Sequence, residues 1–228
     1  MKPERLDHLL SRIGVCSRRE VGRVVREGRV TVAGAVVKFD AKVDPQAVWV
    51  DGVPIEAPDG LLILLHKPRG VVCTHATNEG PRVFDLIPAA WRRRDLTTVG
   101  RLDQDTTGAL LLTDRGDWVH AWAHPKRHVE KVYVVTVDRP VDEAGVASFA
   151  RGLVLADGPC RPCVLEFVDE FVVRLTLTEG RHHQVKRMFA KVGREVVALH
   201  RESFGLYGVL DLDEGLCRRV EPEGVAVR

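Results

Sequence analysis

Apolar residues recur along this chain in two rhythms, one helical and one alternating or continuous. Near the start, Leu6, Leu9, Leu10 and Ile13 fall three and four residues apart, one face of a short helix that Gly14 stops. Ser17-Arg18-Arg19-Glu20 has the capping-box pattern, in which the serine hydroxyl accepts from a backbone N–H three residues on while the glutamate reaches back. A second helix is therefore predicted from Arg18, with Val21, Val24 and Val25 inward and Arg18, Arg19, Arg23 and Arg26 outward until Gly28. RVTV, the turn AGA, then VVKF and VWVDG predict short strands. The stretch PIEAPDG, Pro54 to Gly60, breaks the pattern and predicts a linker.

From Leu61 onward strand signals dominate: LLILLHKPRG, GVVCTH, LTTVGRL, ALLLT, KVYVVTV, CVLEFV and FVVRLTL. Two helical segments interrupt them, DEAGVASFARGL and HHQVKRMFAKVG. In the second, Val185, Met188, Phe189 and Val192 share one face and leave the cations on the others. The fold class that follows is α+β. A small ααβ domain with its linker occupies residues 1–58, and a mixed, mainly antiparallel sheet flanked by helices fills 59–228.

Composition changes this picture little. A chain of 228 residues, 45% hydrophobic and 29% charged, can bury a core. The opening MKPERLDHLL lacks the apolar stretch of a signal peptide, and no apolar run approaches the roughly 18 residues that span a bilayer, so a cytoplasmic protein without membrane contact is expected. Five cysteines without framework spacing predict reduced thiols, and Cys160-Arg-Pro-Cys163 is a lone pair with no partner motif for zinc or redox chemistry. No metal is expected either from His120, His124, His128, His182 and His183, which belong to basic motifs.

Charge is more telling. The formal net charge is only +2, yet residues 1–34 hold eight Lys and Arg against four acids, and residues 181–201 hold six against one. Two basic patches on a nearly neutral chain point to a polyanion gripped in two places. Between them lies GRLDQDTTG, residues 100–108, where Asp103 falls in a connection between two strand signals, with Arg101, Asp105, Thr106 and Thr107 around it.

The ααβ pattern through RVTVAGAVV to VWVDG resembles an S4 domain, a small RNA-binding module. That resemblance implies phosphate contacts by Arg5, Ser17, Arg18, Arg19 and Arg29. GRLDQDTTGALLLTDRGDW, HPKRHVEKVYVVTV and LTLTEGRHHQVKRMFAKVGREVVALHRESFG together resemble the RsuA family of pseudouridine synthases, which join an S4 domain to a catalytic domain. Within the family, the tail from His182 to Gly205 is most similar to the member that modifies small-subunit rRNA. The implied activity is isomerisation of a uridine to pseudouridine in that 16S rRNA, within an assembling particle, by a monomer and with no cofactor.

The same resemblance implies the site. Asp103 is the reacting carboxylate, attacking C1′ or serving as base in a glycal route, and Lys186 is its cationic partner. Tyr133 stacks on the flipped base and is the candidate to take the C5 proton. Arg101, Leu177, Gln184 and Arg187 complete the substrate contacts, with Arg101 entering the vacated stack or holding the backbone. Two alternatives stay open: a large-subunit (23S) rRNA synthase of the same family, or a non-catalytic RNA-binding assembly factor.

Overall fold

The computed structural model describes residues 3–57, 59–92, 96–123 and 127–223. The chain divides into two compact units: Met1–Leu62 with Ile87–Thr97 and Leu112–Gly116, and Ile63–Leu86 with Thr98–Leu111 and Asp117–Arg228. Pro58, within the predicted linker, lies outside the described residues.

In the first unit the elements are β1 (Glu4–Arg5), α1 (Leu6–Arg12), α2 (Val21–Arg26), β2 (Val30–Val32), β3 (Lys42–Val43), β4 (Val48–Val50) and β5 (Val53–Pro54). Leu6, Leu9 and Leu10 of α1 meet Val21, Val24 and Val25 of α2 in a core closed by Val30, Val43 and Val48. The second helix starts at Val21, not at Arg18. Glu20 does reach back to the Ser17 N–H, at 2.8 Å, but the Ser17 hydroxyl donates to that same carboxylate instead of capping the helix, so residues 18–20 form a turn. VVKF is not a strand: Val36 and Phe39 are exposed, and the chain pairs instead through Lys42–Val43 against Glu4–Arg5. A buried ion pair closes this unit. Arg12 donates to Asp114 at 3.0 Å and to Glu4 at 2.9 Å, while the Leu61 N–H donates to the other Asp114 oxygen at 2.7 Å.

The remaining elements are β6 (Leu62–Lys67), β7 (Thr97–Thr98), β8 (Thr107–Thr113), α3 (Gly116–Ala123), β9 (Lys131–Val137), α4 (Glu143–Arg151), β10 (Val154–Leu155), β11 (Gly158–Pro159), β12 (Val164–Asp169), β13 (Val172–Leu177), α5 (Gln184–Lys191), β14 (Val196–Phe204), β15 (Tyr207–Gly208) and β16 (Cys217–Arg219). Nine strands form one mixed sheet in the order β12-β13-β9-β14-β8-β6-β16, with β15 on β14 and β7 on β8. β14 runs parallel to β8 and antiparallel to β9. β6 and β8 are central and buried along their length, which is why they read as continuous apolar runs.

Three segments differ from the sequence expectation. GVVCTH forms only an isolated bridge, Val72 to Arg82. α3 is a helix that the strand-dominated pattern did not predict, although Trp118 and Trp122 stand four residues apart on its buried face. β14, one of the sheet's longest strands, carries His200, Arg201 and Glu202 inside an apolar frame, which masks its strand signal.

Candidate active site

Asp103 lies in the connection between β7 and β8, about one-quarter exposed. Glycine brackets the motif for two different reasons. Gly100 adopts a φ of 72°, which releases the chain from the strand direction. Gly108 adopts 110°, and a Cβ there would stand 2.1 Å from the Arg201 carbonyl oxygen, so only glycine lets β8 approach β14.

The loop is held from beneath by Lys67, at the end of β6. Its fully buried ammonium donates to the carbonyls of Thr106 at 2.8 Å, Pro68 at 3.0 Å and Gln104 at 3.3 Å. Burial pushes the Lys67 ammonium below its ordinary value. The Gly70 N–H also donates to the Gln104 carbonyl, at 2.8 Å. Sequence reasoning missed this lysine, whose signal was a single cation ending the run LLILLHK.

α5 supplies the facing wall. Val185, Met188 and Phe189 turn into the core, and the helical repeat then brings Lys186 toward the loop. Lys186 donates to both oxygens of Asp105, at 2.6 and 2.8 Å, and stands 3.6 Å from Oδ2 of Asp103. It is therefore shared by two carboxylates, with the closer contact to Asp105. The lysine holds the Asp105 carboxyl below its ordinary value. His183, in a left-handed conformation just before α5, places Nε2 3.4 Å from Oδ1 of Asp103 and stacks on His182.

Two adjoining cavities open beside Asp103. The larger, about 580 Å³, is walled by Arg101, Asp103, Lys131, Tyr133, Arg201 and Phe204 among others. The smaller brings Asp103 together with Tyr133, Leu177, Lys186 and Leu199. Tyr133, on β9 opposite Arg201 of β14, is buried and lines both, as does the exposed Arg101. Leu199 escaped the sequence reading because any strand leucine looks alike. The Thr106 hydroxyl, on the wall of the smaller cavity, is buried without a hydrogen-bond partner among the described residues.

Several of the other residues expected at the site are already engaged. Gln184 is buried; its amide donates to Glu179 at 2.7 Å and accepts from the Arg181 N–H at 2.9 Å. Arg187 makes a two-pronged pair with Asp157, 3.0 Å on each arm, which ties the β10–β11 hairpin to α5. In the first unit, Arg18 and Arg19 are exposed, and Arg18 reaches His8. Arg5 is paired with Asp7 at 3.0 Å and Arg29 with Asp51 at 2.7 Å, both exposed pairs that an incoming phosphate can exchange at little cost.

Burial raises the Cys160 thiol and pushes Cys163 up to about 12, so neither offers a thiolate. Among the described residues no group of three or more His, Cys, Asp or Glu is placed to hold a metal ion. His124 lies outside them. Among the same residues, no helix is long and apolar enough to cross a membrane.

An aspartate set beside a lysine, a tyrosine and two apolar side chains at a cationic cleft, on a chain that opens with an arginine-studded ααβ unit, is the build of an RNA-modifying enzyme. Comparison with known proteins gives the particular family. The model of the RNA pseudouridylate synthase family matches residues 61–191, and that of the S4 domain matches residues 4–48. The chain belongs to the RNA pseudouridylate synthase family and is a pseudouridine synthase of the RsuA type, an isomerase.

It is 42% identical over 219 residues to the ribosomal small subunit pseudouridine synthase A of Salmonella typhimurium, covering 93% of this chain and 92% of that one. It is 41% identical over 232 residues to the protein of that name from Escherichia coli, covering 97% and 98%. A solved pseudouridylate synthase is 35% identical, with a TM-score of 0.67 over 95% of this chain and 96% of that one.

Proposed function

We propose that this enzyme converts one uridine of small-subunit (16S) rRNA to pseudouridine with Asp103 as the reacting carboxylate and no cofactor. The reaction is balanced within the substrate: the N1–C1′ bond breaks, the base turns, a C5–C1′ bond forms, and the proton lost from C5 is matched by one gained at N1. One carboxylate suffices for the covalent or base step. The observation that carries the reading is the convergence of Asp103, Tyr133, Lys186, Leu177 and Leu199 on one small cavity. Lys186, 3.6 Å from Asp103, supplies a positive charge beside the carboxylate when substrate excludes water. Tyr133 stacks on the extruded base and takes the C5 proton, and Leu177 packs against the base.

Arg101 enters the vacated stack or holds the displaced backbone. Gln184 and Arg187 act on substrate through the groups they hold, Glu179, Arg181 and Asp157. Arg5, Ser17, Arg18, Arg19 and Arg29 contact RNA phosphates, which fix position without reading sequence. The names borne by the bacterial relatives support the small subunit as target. A monomer acting in the cytoplasm on an assembling particle fits that substrate.

The test is pseudouridine formation on both rRNAs, free and as ribonucleoprotein, by wild type and Asp103→Asn, with RNA binding measured alongside. Modification of small-subunit rRNA by wild type alone, with binding kept in both, supports the assignment. Modification confined to large-subunit rRNA overturns the target, and activity surviving in Asp103→Asn overturns the residue.

A further inference from the structure

The larger cavity contains two cations that the chemistry at Asp103 does not use. Lys131 and Arg201 lie on neighbouring strands, β9 and β14, and both approach one ring: the Lys131 ammonium is 5.1 Å from the Phe204 centroid and the Arg201 guanidinium carbon 5.2 Å. Arg201 is 2% exposed and is fixed by donating from Nε to the Ala109 carbonyl at 2.7 Å. Its Nη2 is buried with no acceptor among the described residues. Lys131 donates to the Val129 carbonyl at 2.7 Å.

Among the described residues neither cation pairs with a carboxylate. Glu179, the acid that acts on Lys131 electrostatically, is held by Gln184 at 2.7 Å, by the Arg161 N–H at 3.0 Å and by Arg181 at 3.3 Å. Two desolvated cations side by side, one with an unused donor, destabilise the empty site, and a neutral carbonyl cannot offset them. A full negative charge can.

Resting on the proposed reading of this cleft as the seat of the target nucleotide, we infer that Lys131 and Arg201 form a phosphate subsite for the phosphodiester on the 5′ or 3′ side of that nucleotide. The pair is placed for it. Arg201 stands opposite Tyr133 in the β9–β14 register and Lys131 two residues before Tyr133, so both lie on the tyrosine's face of the sheet. A cavity of about 580 Å³ has room for a nucleotide with its phosphate beside the ring. The subsite would anchor the sugar–phosphate while the base is freed and turned, a task the carboxylate cannot perform.

The test uses the full chain and needs no turnover. Binding of uridine, uridine 5′-monophosphate, uridine 3′-monophosphate and inorganic phosphate is followed by NMR, in wild type, Lys131→Gln and Lys131→Arg. The wild type should bind one monophosphate about tenfold more tightly than uridine, as expected for charge-assisted hydrogen bonds. Which isomer gains identifies the phosphate. Lys131→Gln should lose that gain while still binding uridine, and Lys131→Arg should retain it; inorganic phosphate should compete with the favoured monophosphate.

Equal binding of uridine and both monophosphates overturns the inference, as does no saturable response to phosphate, or a gain that survives in Lys131→Gln. Arg201→Gln adds weight where it folds, but the Lys131 variants are decisive. A wild type that shows no phosphate gain yet forms pseudouridine normally sinks only this inference; a phosphate gain without activity on either rRNA sinks only the proposed function.

Discussion

Lys186 grips Asp105, not Asp103, with its shorter bonds: both Asp105 oxygens lie within 2.8 Å of the ammonium, whereas Asp103 stands at 3.6 Å. Asp105 thereby fixes the cation at the height where it can serve its neighbour. Asp105→Asn should leave Asp103 intact and lower kcat by about a hundredfold, the scale of a group displaced by an ångström. KM for the RNA should change little. A loss as complete as that of Asp103→Asn would make Asp105 the reacting carboxylate.

Lys67 positions the same loop from below. Lys67→Met removes the donor shared by the Thr106, Pro68 and Gln104 carbonyls, of which the Gln104 oxygen keeps a second donor in the Gly70 N–H. The expected cost is about 1–3 kcal/mol from buried carbonyls left unpaired, read as a fall in Tm of several degrees. Activity should fall further than the loss of folded protein explains, because the Asp103 loop loses its support. Unchanged Tm and kcat would remove Lys67 from this role.

Gly108→Ala should prevent normal folding or sharply lower Tm. The added methyl would meet the Arg201 backbone at 2.1 Å, and the φ of 110° is strained for any L side chain. Gly100→Ala, whose position has open space around it, should lose only the strain of its positive φ, about 1 kcal/mol. Thermal melts of the two variants compare the predictions directly.

RNA affinity should fall as pH rises through about 8. Burial and the neighbouring Arg201 push the Lys131 ammonium down to about 8, against a smaller opposing pull from Glu179. Below that pH the free protein already carries the charge a phosphate wants. Above it, binding must take up a proton, so affinity drops by at most tenfold per pH unit until the raised value in the complex is passed. Lys131→Arg, which stays charged, should flatten the profile from about pH 7 to 9; an unchanged slope in that variant would assign the titration elsewhere.

Much of the site could be read as sequence. GRLDQDTTG, the Tyr133 segment and the tail from His182 concentrate unusual residue types at short spacing, and the helical repeat of Val185, Met188 and Phe189 already implied which way Lys186 turns. Long-range pairings could not be read that way. Lys67 stands 37 and 39 residues before the Gln104 and Thr106 carbonyls it holds. Arg201 looks like one more basic residue in the sequence, because its burial depends on β14 lying between β8 and β9. VVKF and GVVCTH failed for the converse reason, since an apolar stretch becomes a strand only where a partner edge is free to bond it.

What the sequence determined by itself is local: the ααβ opening with its valine and leucine core, the continuous apolar strands, the amphipathic α5, and the identity of the family from its motifs. The tertiary structure decided which charges meet. It divided Lys186 between two aspartates, committed Arg187 to Asp157, and brought Lys131 and Arg201 together over Phe204 with no anion among the described residues. Residue type and spacing fix hydrogen-bonded periodicity over a few turns, whereas an ion pair depends on distances set by chain crossings far apart in sequence, and on the solvent those crossings exclude.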